Sequence, residues 1–322
     1  MIRTVLGDIE PEALGRCDFH DHLIRSSGPE VMAADYYLQD SIPAACIEVE
    51  SFMQAGGSAM VCMDPIGCGR DVPKMLELAK RYEGTFHIIM CTGFHKGSNY
   101  DNRGHWSVLY PADRSAKLIA KEVTEGMDLY SYAGPIVERC QAKAGIIKAG
   151  TSSQQITSFE LGTLSIAANA QKLCGAPISI HTDMGTMGME AIGVLKQSGA
   201  NLEKTVLCHT NKLPDLRYYR SMLDTGVSLC FEGPDRPMWG TDSQLALNIF
   251  KLIELGYGRQ LLLAMDAGRN TWQKGHMLQQ GKIAKGIAYL LTDFVPLMQE
   301  IGIGEREIND MLIHNPAKML SI

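Results

Sequence analysis

Short apolar or β-branched runs recur eight times along the chain, at 17–20, 60–64, 87–92, 146–148, 178–181, 206–209, 227–232 and 261–266. Most of them close on a polar residue. Between them lie longer helical stretches at 46–54, 73–81, 115–126, 158–174, 187–197, 215–224 and 243–255, several with apolar residues at three- and four-residue spacing. Strict alternation of strand and helix argues for a parallel sheet covered by helices. A doubly wound open sheet would carry a Gly-rich phosphate loop after its first strand, and none is present. At about 150 residues per domain, 322 residues would suggest two domains, but one barrel with long loops reaches the same size. The expectation is an α/β protein with one domain over 1–322, a (β/α)8 TIM barrel.

Composition narrows the functional classes. With 45% hydrophobic and 20% charged residues, the chain fits neither a disordered nor a fibrous class. Thirty basic against 36 acidic residues, with no basic run, argues against nucleic acid as a partner. The nine cysteines, from Cys17 to Cys230, contain no C-x-x-C pair and sit mostly in apolar runs, as in a reducing compartment. No run approaches the length of a membrane span, and residues 1–8 lack the apolar stretch of a leader. A cytoplasmic protein with no membrane partner is expected.

In a barrel of this kind the active site is built at the C-terminal ends of the strands. His20-Asp21-His22 closes the first run with two imidazoles at i and i+2, which a strand projects to one face. His181, His209 and Asp266 end later runs, so a barrel would converge all five on one mouth. Imidazoles and carboxylates suit zinc, manganese, cobalt or iron. Lys148 puts an amine at the end of the otherwise apolar run Gly145-Ile146-Ile147-Lys148, where desolvation is costly. Carbamylation by CO₂ would turn it into an anion able to bridge two cations; a Schiff-base or ion-paired lysine is the alternative.

These residues, with Ile180-His181-Thr182, Cys208-His209-Thr210, Met265-Asp266 and the terminal His314-Asn315-Pro316-Ala317, resemble the phosphotriesterase-like branch of the amidohydrolase superfamily over nearly the whole chain. The resemblance implies two divalent transition metal ions, zinc first and manganese or cobalt as alternatives. It places His20, His22 and Asp266 on the more buried ion and His181 and His209 on the more exposed one. It makes Lys148 an N6-carboxylysine bridging both beside a hydroxide, with Asp266 also the proton shuttle. A homodimer is a further expectation of the family.

The loops after the strands carry Lys96, Lys212, Arg236 and Arg269, cations suited to a phosphate or sugar acid and useless to an apolar acyl chain. Phe231-Glu232-Gly233-Pro234-Asp235-Arg236 and Met265-Asp266-Ala267-Gly268 resemble the sugar-lactone subgroup of the branch. The expected function is hydrolysis of an anionic small molecule, a phosphorylated pentono-lactone. A homoserine-lactone hydrolase or organophosphate triesterase is the alternative, and a non-catalytic ligand-binding barrel is the reading from a different class. Asp64, Tyr100 and Trp239 are further candidates for substrate contact, and Met184, Met187 and Met189 for lining the loop after His181. His95, His105, His276 and His314 are assigned surface or hydrogen-bonding roles, and Cys17 and Cys208 packing behind the barrel. The long polar connection 93–114 reads as a lid or binding loop.

Overall fold

The computed structural model describes residues 1–100 and 104–322. The chain opens with an antiparallel hairpin, β1 (Ile2–Thr4) and β2 (Gly7–Ile9), too short and polar to stand out in the sequence. Eight strands follow: β3 (Cys17–Asp21), β4 (Ala59–Cys62), β5 (His87–Gly93), β6 (Ala144–Thr151), β7 (Ile178–Thr182), β8 (Thr205–Cys208), β9 (Ser228–Glu232) and β10 (Leu261–Ala264). They form one parallel sheet whose spatial order follows the sequence. Its two edges meet, because the backbone N–H of Asp266 donates to the carbonyl of His20 at 2.9 Å. The fold is the (β/α)8 barrel that the alternation anticipates.

Helices Ile42–Gln54, Val72–Arg81, Ala112–Thr124, Ser158–Cys174, Gly188–Gln197, Leu216–Leu223 and Asp242–Glu254 return the chain along the outside. The first starts four residues earlier than the spacing suggests, since the Ser41 side chain accepts from Ala44 N–H and Pro43 sits in the first turn. Helix Ser158–Cys174 has clear limits, a reciprocal Thr157/Glu160 cap at its start and Gly175 at φ 76° after its end. Among the described residues no helix is long and apolar enough to cross a membrane.

Two separate cores show which way the side chains point. Cys17, Phe19, Val61, Ile89, Cys91, Ile146, Val206, Cys208, Cys230, Leu262 and Ala264 fill the barrel interior, and Ile2, Leu14, Met319 and Leu320 plug its lower end. Met60, Cys62, Ile88, Ile147, Ile180, Leu207, Phe231 and Leu263 face the helices instead. The His314-Asn315-Pro316-Ala317 segment belongs to that lower end, where Asn315 Nδ2 donates to the carbonyls of Gly258 and Leu261. Cys17 and Cys208 therefore do not pack behind the barrel as the sequence suggested; both point into it.

Strand β3 departs from simple alternation. Its register against β4 shifts between Asp18 and Asp21, a bulge that lets Phe19 and then His20 face inward in succession. The backbone groups left without strand partners are taken by two buried carboxylates. Asp18 accepts from His20 N–H at 3.1 Å and Met265 N–H at 3.0 Å, and Asp21 accepts from His22 N–H at 2.7 Å and Ala267 N–H at 3.1 Å. Burial pushes the Asp18 carboxyl up to about 7 against the lowering effect of these N–H donors. Asp21→Ala would strand two buried donors at about 1–3 kcal/mol each. The expected result is a drop of a few kcal/mol in unfolding free energy, read from denaturant midpoints; a change below about 1 kcal/mol would show that the bulge holds without this carboxylate.

Candidate active site

The interior face of the barrel delivers most of the candidates by parity. Lys148 follows Ile146 inward on β6, His181 follows Ser179 on β7, Glu232 follows Cys230 on β9, and Asp266 continues the Leu262–Ala264 face beyond β10. His209 is the exception. It follows inward-facing Cys208 and would point at the helices if the strand continued, but at φ 67° its backbone turns left-handed and returns the ring to the mouth. Asp266 is also left-handed, at φ 51°. Such conformations cost a non-glycine residue about 1–3 kcal/mol and gather at functional sites.

The four histidines form a connected ring cluster. Centroids lie 5.6 Å apart for His20 and His22, 5.0 Å for His20 and His209, and 4.5 Å for His181 and His209. Asp266 Oδ1 lies 3.5 Å from His22 Nε2 and 3.9 Å from His20 Nε2, and its Oδ2 lies 3.6 Å from His209 Nδ1. Lys148, only 1% exposed, brings its Nζ within 3.3 Å of His20 Nε2. Its strand is held tightly against β5, where a Cβ at Gly93 would meet the Lys148 carbonyl oxygen at 2.2 Å. All six residues expected to ligate metal are thus in one place.

Burial and neighbouring charges act differently on the four imidazoles. Burial, aided by the Lys148 charge, pushes the His20 pKa down; burial also lowers His181 to about 3 and His209 well below the usual range. These three imidazoles are held neutral, the form that binds metal. His22 differs: burial would lower it, but Asp64 and Asp266 outweigh burial and lift it to about 9. At Asp266 burial works upward, yet hydrogen bonding from His22 and the Lys212 charge hold the carboxyl well below the ordinary range. Several polar atoms are buried without a directed hydrogen bond, among them His20 Nδ1, His181 Nε2, His209 Nδ1 and Glu232 Oε1. His20 Nδ1 and Glu232 Oε1 are 2.7 Å apart but off the line of donation. Imidazole and carboxyl donors of this kind are those a borderline cation takes.

Sequence reading missed the supporting roles of Glu232, Asp64, Arg25 and His95. Glu232 touches His20 and His209 through its two carboxylate oxygens. Asp64, counted as a substrate candidate, instead holds His22 Nδ1 at 2.9 Å, and Arg25 braces Asp64 at 2.7 Å. His95 stacks 4.4 Å from His181 at the mouth. The polar ends of 60–64 and 227–232 were the available signals for Asp64 and Glu232; nothing around Arg25 marked it.

Above the cluster is a cavity of about 200 Å³, whose walls include Tyr37, His95, Met184, Trp239, Arg269 and Trp272. All four cations expected to bind substrate line it, with different freedom. Lys96 pairs with Asp183 at 2.9 Å. Arg236 is buried, giving one nitrogen to the Pro234 carbonyl at 2.8 Å and another to the Asp266 carbonyl at 3.3 Å. Lys212 lies 4.0 Å from Asp266 and over the Trp239 ring. Arg269 stacks on Tyr36, Tyr37 and Trp272, with no carboxylate at ion-pair distance among the described residues. Tyr100 is not at the cavity; its hydroxyl is buried between Ile66 and His95 backbone groups. Of the long connection 93–114, His95 and Lys96 reach the cavity while Phe94 and Trp106 pack into the core; residues 101–103 lie outside the described residues. Met184 lines the cavity, whereas Met189 packs on the core and Met187 starts the next helix.

Residues 1–320 match the family model described as the phosphotriesterase family. The chain belongs to that family. It is a relative of the phospho-furanose lactonase of Mycoplasmopsis agalactiae, 43% identical over 99% of this chain and 91% of that protein. The crystal structure of an amidohydrolase from Mycoplasma synoviae superposes with a TM-score of 0.97 at 44% identity, covering 99% of this chain and 91% of the other. A Listeria monocytogenes lactonase superposes with a TM-score of 0.89 at 26% identity over 99% and 98% of the two chains. A phosphotriesterase-family barrel with this mouth is a hydrolase of ester bonds.

Proposed function

We propose that this phosphotriesterase-family protein opens a phosphorylated five-carbon sugar lactone. Lactone hydrolysis is supported by the named relatives and by a mouth lined by His20, His22, His181, His209 and Asp266, with Lys148 buried against His20. His20, His22 and Asp266 would hold one divalent ion, His181 and His209 a second, and carboxylated Lys148 would join them, zinc being the first choice. When bound, such ions activate water and polarise the acyl oxygen. The chain's own part is to exclude other groups and manage the proton. Asp266 is 17% exposed, against 1–8% for His20, His22, His209 and Glu232, so it is the carboxylate of the cluster that opens to the cavity. It takes the proton of the attacking water and passes it to the ring oxygen that leaves.

The observation that carries the phosphate is Arg269. Its guanidinium borders the same cavity as Asp266, and the stacked rings of Tyr36, Tyr37 and Trp272 fix it in place without neutralising it. Lys212 shares its charge with Asp266 and Lys96 with Asp183, while Arg236 gives two nitrogens to backbone carbonyls and has no carboxylate at ion-pair distance among the described residues. A charge-assisted hydrogen bond contributes about 1.5–3 kcal/mol, a tenfold or greater preference for the phosphorylated substrate. Arg269→Met is expected to lower kcat/KM for a pentono-lactone phosphate by at least about tenfold while sparing the same lactone without phosphate. Equal losses on both would make Arg269 structural, and faster turnover of homoserine lactones or aryl phosphotriesters by the wild type would replace the phosphorylated lactone as substrate.

A further inference from the structure

Between the two halves of the candidate metal site stands Glu232, buried, at the inward-facing end of β9. Its Oε1 lies 2.7 Å from His20 Nδ1, and its Oε2 is in close contact with His209 Nδ1. Glu232 is itself held at its carboxylate and at its backbone. Oε2 accepts the backbone N–H of His209 at 2.9 Å; Asn211 Nδ2 donates to the Glu232 carbonyl at 2.8 Å, and the Glu232 N–H donates to Asn211 Oδ1 at 3.3 Å. Those bonds fix the left-handed turn at His209 and the end of β9 to each other.

Neither contact lies on the line of donation, but a group packed against Nδ1 of each ring limits how His20 and His209 can turn. His20 shows the outcome, since its Nε2 faces the centre of the site, 3.3 Å from Lys148 Nζ and 3.9 Å from Asp266 Oδ1. One carboxylate facing two rings differs from the usual arrangement, in which each ligand has its own outer partner. His22 does have its own, in Asp64. His20 and His209 share theirs.

We propose that Glu232 is a positioning residue shared by both halves of the metal site, orienting His20 for one ion and His209 for the other, so that occupancy of the two halves is set together. This rests on the two-ion reading given above. Glu232 also belongs to two of the clusters whose atoms could hold a cation, with His20 and Cys208 and with His209 and Asp266; a ligand to one ion would weaken that ion first when removed, whereas removing Glu232 frees one ring in each half.

Zinc alone is the probe, titrated into metal-free wild type, Glu232→Gln and Glu232→Asp in competition with a chromophoric chelator, with circular dichroism confirming the fold of each. Wild type taking up fewer than two equivalents would overturn the two-ion reading and the proposal with it. Given two equivalents, E232Q is expected to lose roughly 10–100-fold in affinity at both sites, the usual effect of an outer-shell partner, with E232D between it and wild type. Unchanged affinity in E232Q, or a loss confined to one equivalent, overturns the shared role while leaving the two-ion reading standing. Should E232Q fail to fold, Asn211→Ala loosens the mount of Glu232 and leaves every candidate ligand in place; parallel weakening of both sites supports the proposal, and unequal or absent weakening overturns it.

Discussion

Lys148→Ala is expected to leave a folded barrel that binds little or no metal and hydrolyses no lactone. The expectation comes from where the amine is. Lys148 is fully enclosed, its Nζ sits beside His20, and among the described residues no carboxylate lies at ion-pair distance from it. A bare ammonium there would be both desolvated and repelled by any cation the histidines hold. Carboxylation reverses the sign of that interaction and supplies two oxygens. The loss in metal affinity should therefore exceed the roughly 10–100-fold typical of outer-shell partners. Metal content after dialysis and kcat on a lactone test it together, and short carboxylic acids added to the variant should restore part of both. Retention of two equivalents of metal by Lys148→Ala would remove the lysine from the centre.

Asp266→Asn is expected to lower kcat by roughly 10²–10⁴ while keeping appreciable metal, because an amide retains an oxygen for coordination but takes up no proton. Position, rather than basicity, is what the site gives this carboxylate. His22 and Lys212 keep it ionised despite burial, and its left-handed backbone, tied through Asp266 N–H to the His20 carbonyl, leaves the side chain between the histidines and the cavity. Turnover near the wild-type value in metal-saturated protein would assign the proton to another group. The variant should be compared at saturating metal, so that a lowered affinity is not read as a lost proton acceptor.

Much of this molecule is written in residue order. Eight apolar runs alternating with helical stretches admit few folds other than the barrel, and a barrel brings the ends of its strands to one mouth whatever the loops do. That is why His20, His22, Lys148, His181, His209 and Asp266, spread over nearly the whole chain, were recognisable as one set. What residue order does not carry is the side of the sheet on which each residue emerges when the backbone departs from strict alternation. Two departures decide this site. The bulge in β3 follows inward Phe19 with inward His20, paid for by Asp18 and Asp21, and the left-handed turn at His209 reverses a ring that would otherwise face the helices.

Tertiary structure also decided which charges are free. Lys96, Lys212, Arg236 and Arg269 are all loop cations in the sequence, and only the position of Arg269, three residues beyond Asp266, sets it apart. In the fold, Lys96 meets Asp183 across two different loops and Arg236 folds back on backbone carbonyls, whereas Arg269 is flanked by aromatic rings from the loop after β3. Glu232 was visible as the polar end of a run and inside a subgroup-like segment, but without a role, because that role depends on contacts with residues 212 and 23 positions away, His20 and His209. The sequence by itself determined the barrel and its set of ligand-type residues, since periodicity and chemical type are local properties. Which face each ligand takes, which cations remain available and which carboxylate serves two histidines follow from contacts between distant segments, and only the folded chain creates those.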